Sequence, residues 1–323
     1  MASSSNPVPH APAVTLRRDG IKPSPAGADA PCAGSGTRAA CRPSWRALLA
    51  AVLLAGAAAP MALAGPDGAS DRRVADLSIA GLDQRVLLAS PAAPRAVLVM
   101  LPGGAGAIGI RPDGTLAHGA NFLVRTRARF MNKGFAVLIP DAAGTRNLRG
   151  RRSTPAYGDL VRALAAYAGS ETGAPVFLVG TSQGAIAAAN GAARAEPGAV
   201  AGLVLTEAVS VLGGSRESVF DVDLAAVRVP VLIVANRDDA CPVSPPAAAP
   251  RIAAALAGAP SVTVENVAGG MPGKACGSLS PHGYRGIEGQ VVDLISAWID
   301  ARLAAFGRQG TTGPLPHPAR DPE

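Results

Sequence analysis

The sequence predicts an α/β fold, a mostly parallel sheet flanked by helices on both faces, spanning residues 65–306 as one domain. Three observations predict it. Short apolar runs alternate with amphipathic stretches of about 10–15 residues, the pattern of βαβ crossovers. Four of the runs (VLVML at 97–101, FAVLIP at 135–140, VFLVG at 176–180 and VLIVA at 231–235) are apolar throughout. Strands buried on both faces read that way. The third run leads directly into a G-x-S-x-G turn.

In chain order, Gln84–Ala89 and Ala96–Leu101 read as strands, and 121–133 as a helix with Phe122, Val124, Ala128 and Met131 near helical spacing. A strand over Phe135–Pro140, a helix over 156–168 and a strand over 176–179 follow. The small residues of 183–194 form the next helix, and 203–206 and 229–235 two further strands. A helix over 247–257, a strand over 261–267 and a closing helix over 288–306 complete the domain. About twenty residues separate strands 203–206 and 229–235, too few for a large lid, so the site is expected to be open. Residues 307–323 read as a disordered tail rich in Gly and Pro.

Residues 1–64 read as leader and signal peptide. Trp45 and Arg46 lead into an apolar run, Ala47 to Ala59, and Ala62-Leu63-Ala64 is a small-x-small cleavage pattern. This places the signal at about 45–64 with cleavage near Ala64, and the mature chain in the periplasm or outside the cell without stable membrane insertion. The competing reading is an uncleaved anchor, against which the run is short and Ala-rich. The stretch before Arg46 is long for a signal, so translation starts within it or the leader is extended. The full chain carries a formal +7. Without residues 1–64, 24 basic and 21 acidic residues remain, a net of +3. No basic stripe interleaved with aromatics appears, which argues against a nucleic-acid partner.

Cys32 and Cys41 lie in the leader, leaving Cys241 and Cys276. An even pair in an oxidising compartment predicts one disulfide, the alternative being two unconnected thiols. Neither a metal site nor a cofactor is expected, because no four-ligand Cys/His cluster and no GK[ST] loop occurs.

The chemistry is carried by three segments. Gly180-Thr181-Ser182-Gln183-Gly184 sits between an apolar strand and a helix. In that context the turn lifts a serine hydroxyl above the sheet's C-terminal edge. After strand 229–235 come Asp238 and Asp239, at the same edge. Of the histidines beyond the leader, His118 precedes the serine and His317 lies in the tail. His282 stands between the last strand and the last helix, where a base follows in the order Ser, Asp, His. Two backbone N–H groups are expected to bind the oxyanion. One is that of Gln183, which opens a helix; the other is that of Gly104 in Pro102-Gly103-Gly104-Ala105-Gly106, with Gly103 or Ala105 as alternatives. A Cys241–Cys276 bridge would clamp the acid-bearing loop to the base-bearing loop.

With PGGAG at 102–106, HGANFLVRTR at 118–127, GTSQGA at 180–185, RDDACPVSPP at 237–246 and CGSLSPHGYRGIE at 276–288, the chain over roughly 75–306 resembles the α/β-hydrolase superfamily. It is most similar to a group of exported bacterial members. The resemblance implies the α/β-hydrolase fold and a triad of Ser182, Asp239 (rather than Asp238) and His282. It implies a serine hydrolase, a carboxylesterase acting on a small-molecule ester or acyl substrate. The alternatives are an acyltransferase on the same triad and a non-catalytic exported binding protein. Asn121 is read as a helix cap, and Arg125 and Arg127 as solvent-facing.

Overall fold

The computed structural model describes residues 14–16, 71–142 and 147–309. The signal segment, Cys32, Cys41, the expected cleavage site, and His317 with the rest of 310–323 lie outside the described residues. The strands are β1 (Val14–Leu16), β2 (Asp71–Ile79), β3 (Leu82–Ser90), β4 (Ala96–Leu101), β5 (Phe135–Pro140), β6 (Val176–Thr181), β7 (Gly202–Thr206), β8 (Val231–Asn236) and β9 (Val262–Val267). They form one sheet in the order β1-β2-β3-β5-β4-β6-β7-β8-β9. From β5 through β4 to β9 every pairing is parallel, whereas β3 runs antiparallel to β5, β2 to β3, and β1 to β2.

The helices are α1 (Phe122–Asn132), α2 (Pro155–Thr172), α3 (Gln183–Ala193), α4 (Ala249–Ala255) and α5 (Glu288–Gln309). Successive strand residues point to opposite faces, so the sheet has two cores. Val97, Val99, Leu203 and Leu205 pack with Leu160, Val161 and Leu164 of α2 and the alanines of α3. Leu98, Met100, Val137 and Val204 pack with Phe122 and Phe130 of α1 and Val291, Ile295 and Trp298 of α5. Helices therefore cover both faces, as the apolar strands require.

Elements differ from the sequence reading in several places, α2 among them, which runs to Thr172 rather than 168. Strand β2 is missing from it because DRRVADLSI carries charge and is exposed or half-buried over most of its length, beside the three-residue edge strand β1. Arg73 of β2 pairs with Glu171 of α2. Val14–Leu16, in the segment read as leader, form the further edge strand β1. Helix α4 is shorter than 247–257 because Pro245 and Pro246 open a separate 3-10 turn over Pro246–Ala248. Helix α5 continues past Phe306 to Gln309. Between β7 and β8, the described helical structure amounts to two 3-10 turns, Val219–Asp221 and Leu224–Ala226, and no large lid.

The turn from β6 into α3 is tightly packed. A Cβ on Gly180 would lie 2.3 Å from the Gly184 carbonyl oxygen, and one on Gly184 only 1.9 Å from that of Leu101. Neither contact tolerates a methyl group, so glycine at both positions is what lets α3 descend onto β4. Gly184→Ala is expected to cost about 3 kcal/mol or more in urea unfolding. Gly119→Ala, where an added Cβ meets nothing within 4 Å, is expected to stay within about 0.5 kcal/mol. Equal midpoints for the two variants would contradict this account of the turn.

Candidate active site

Ser182 joins β6 to α3 with φ 55° and ψ −123°, outside the regions open to an ordinary L residue. Its N–H donates to the Thr206 carbonyl at 2.8 Å, which ties the turn to the end of β7. Among the described residues six non-glycine residues have positive φ, and Ser182, Glu207, Cys276 and Tyr284 of these lie at or beside one rim of the sheet. Backbone strain of about 1–3 kcal/mol per residue persists only where the surroundings enforce it.

His282 lies in a 3-10 turn, Pro281–Gly283, and its N–H donates to the capping Ser280 hydroxyl. Its Nε2 is 3.0 Å from Ser182 Oγ, and its Nδ1 is 2.7 Å from Asp239 Oδ2. An Nδ1–H donated to Asp239 leaves the Nε2 lone pair facing the hydroxyl. Asp239 stands on the loop leaving β8 and is buried. Its Oδ1 accepts the Cys241 N–H at 2.8 Å and its Oδ2 the Ser244 hydroxyl at 3.2 Å. Burial pushes the Asp239 carboxyl up; the hydrogen bonds it accepts, from His282 and the Cys241 N–H among them, outweigh burial and hold it below the usual range. Asp238 is exposed and accepts the Gly269 N–H at 2.6 Å, so Asp239 is the one that meets His282. The arrangement can pass a proton from the hydroxyl to the imidazole and stabilise the resulting imidazolium.

The glycine loop after β4 forms the other wall. A Cβ on Gly103 would stand 2.9 Å from Ser182 Cβ, so only glycine fits against the serine there. Gly104 has φ +61°. Neither the Gly104 nor the Gln183 N–H has a protein acceptor among the described residues. Behind the loop, Arg152 is buried and donates to the Gln183 side-chain oxygen at 3.1 Å and the Pro102 carbonyl at 3.2 Å. Burial pushes its guanidinium down from the usual range.

A cavity of about 210 Å3 opens over Ser182, walled by Gly103, Gly104, Ala105, Ile108, His118, Phe122 and Ser278. His118, whose place the sequence left without a role, thus stands at the rim. Asn121 caps α1 by accepting the Leu123 N–H at 3.0 Å. Arg125 corrects the solvent-facing reading. It is mostly buried, pairs with Glu288 at 3.0 Å and donates to the carbonyls of Ala120, Ser278 and Gly283. It therefore braces the His282 loop against the His118 loop. Cys241 and Cys276 are joined in a disulfide across 35 residues, linking the Asp239 loop to the loop ahead of His282. Ser244, Glu207 and Arg152 were not found in the sequence. For Glu207 the signal is a charged residue in an apolar setting, LVLTEAV at 203–209; Ser244 and Arg152 carry none.

No protein-family model and no curated protein matches the chain. Solved structures similar to it include dienelactone hydrolase from Anabaena variabilis, at 17% identity and a TM-score of 0.53, over 72% of this chain and 98% of that one. Est1E from Butyrivibrio proteoclasticus matches at 14% identity and 0.50, over 73% and 99%. Acylaminoacyl peptidase from Pyrococcus horikoshii matches at 12% and 0.52, over 72% and 42%. The chain has the α/β-hydrolase fold.

The disulfide closes a loop whose cross-link is worth roughly 4 kcal/mol in the chain-entropy model. A Cys241→Ala/Cys276→Ala variant is expected to lose most of that in urea unfolding without reductant. Equal stability of variant and wild type would contradict a bridge at these positions.

Proposed function

We propose that this protein is a serine hydrolase of carboxylic esters. Ser182 is its nucleophile, His282 its general base and acid, and Asp239 the carboxylate that orients the imidazole. The observation that carries the reading is the continuous chain Ser182 Oγ, His282 Nε2 at 3.0 Å, and His282 Nδ1 to a buried Asp239 at 2.7 Å, built on a strained turn. The hydroxyl attacks the ester carbonyl carbon as its proton passes to His282. The resulting oxyanion is bound by the backbone N–H groups of Gly104 and Gln183, the latter at the positive end of α3. His282 returns the proton to the leaving alkoxide, which departs as alcohol. It then takes a proton from water, which attacks the acyl-enzyme carbonyl; the Ser182 Oγ–acyl bond breaks, the proton returns from His282 to Oγ, and the acid is freed.

The cavity of about 210 Å3 suits a short acyl group. Est1E has been solved with ferulic acid bound, and that precedent supports a carboxylic ester as the substrate class. Ser182→Ala is expected to lower hydrolysis of p-nitrophenyl acetate by at least about a thousand-fold with unchanged folding. For the wild type, kcat/KM is expected to fall steeply from acetate to long-chain esters. A variant as active as the wild type would overturn the assignment of Ser182.

The protein is further proposed to be exported, with cleavage after Ala64. The positively flanked apolar run and the Cys241–Cys276 bridge support this reading. Cleavage there removes β1 and leaves β2 as the sheet edge. N-terminal sequencing of the exported product is expected to begin at Gly65; a full-length chain retained in the cytosol would contradict it.

A further inference from the structure

Glu207 directly follows β7, is buried and has φ 44°. Its Oε1 accepts the Asn236 N–H at 2.7 Å. Its Oε2 is buried and receives no proton from any described group. A carboxylate oxygen of Glu207, one of Asp239 and a ring nitrogen of His282 lie within 4.8 Å of one another. The groups facing Glu207 are Asp239 from the loop after β8, His282 and Tyr284 from the loop before α5, and Thr206 from its own strand. Each has its proton committed elsewhere. The Tyr284 hydroxyl donates to the Val234 carbonyl at 3.1 Å, and the Thr206 hydroxyl to that of Gly180 at 3.3 Å. His282 Nδ1–H goes to Asp239. An ionised Glu207 would therefore bury a second negative charge against Asp239 with one oxygen unsolvated and unbonded, an arrangement a low-dielectric interior resists strongly.

We propose that Glu207 is a positioning residue of the same site, a neutral carboxylic acid that gives its Oε2 proton to the Asp239 carboxylate. It rests on the assignment of Asp239 as the carboxylate behind His282. The contact adds a donor to the Cys241 N–H and Ser244 hydroxyl, fixing Asp239 on the loop after β8 to the end of β7. It also keeps a single negative charge, shared over the pair, behind the imidazole. Burial and the contact with Asp239 both push the Glu207 carboxyl well above the usual range, in agreement with the geometry.

The sign of the pH dependence follows. In the unfolded chain Glu207 ionises in the ordinary carboxylate range, so above that range folding must take up a proton, and stability falls as pH rises. Glutamine at this position keeps an acceptor for Asn236 and a donor for Asp239 and needs no proton. Relative to wild type, the Tm of Glu207→Gln is expected to rise progressively as pH rises above the ordinary carboxylate range. Glu207→Leu, which can neither accept nor donate, is expected to lose about ten-fold in kcat/KM, mostly in kcat, and Glu207→Gln to recover most of it. An infrared difference spectrum of wild type minus Glu207→Gln is expected to contain a protonated-carboxyl band at neutral pH. A Tm difference that is flat with pH, a Glu207→Gln protein less stable than wild type at about pH 8, or an ionised carboxylate band would overturn the proposal. Those readouts do not depend on turnover, so they separate its failure from a failure of the Ser182 assignment.

Discussion

The rim of the sheet is organised around one backbone constraint, the placement of Ser182 at φ 55° between Gly180 and Gly184. The constraint is enforced from outside the turn. Leu101 and Pro102 of the neighbouring strand lie where any side chain at 184 would go, and Ser182 Cβ lies where any side chain at 103 would go. The Thr206 carbonyl takes the Ser182 N–H. Strand β4 and its glycine loop, strand β6, helix α3 and the end of β7 thus determine one hydroxyl position together. A strained residue costs stability by itself, so it survives only because the two cores on either face of the sheet hold these elements in register.

His282 and Asp239 are brought to that hydroxyl by loops with little secondary structure of their own. Cross-links substitute for it: the Cys241–Cys276 bridge, Arg125 binding carbonyls of both neighbouring loops, and Asn236 donating its side-chain amide to the carbonyls of Gly269 and Pro281. Each buried charge in this region has a defined partner set. Arg152 is spent on Gln183 and Pro102, and Glu217 accepts the N–H groups of Gly150 and Ser153. Buried polar groups that are fully bonded fix a single arrangement, which a proton-transfer chain with 2.7 Å and 3.0 Å links requires.

Two central strands are legible to the residue. Ala96–Leu101 and Phe135–Pro140 are buried along their whole length, and nothing but a parallel central strand reads as so unbroken an apolar run. Ser182, Asp239 and His282 stand out in sequence because each sits just beyond such a strand or just before a helix. Strand β2 does not stand out, because it is exposed or half-buried over most of its length and its charges resemble a loop. Arg125 also misleads: an arginine on a helix is usually solvated, and only the fold brings the Ser278 and Gly283 carbonyls to it. Glu207 and Ser244 carry no spacing signal. Their meaning depends on contacts between separate loops and strands that no local pattern encodes.

The proposed function makes one hydroxyl in this protein uniquely nucleophilic. The most direct measurement is the reaction of the intact protein with a fluorophosphonate, followed by peptide mass mapping. The account predicts a single adduct, on Ser182, whose formation collapses in His282→Ala. A protein that hydrolyses esters yet carries its adduct on another residue, or takes up no label, would contradict it.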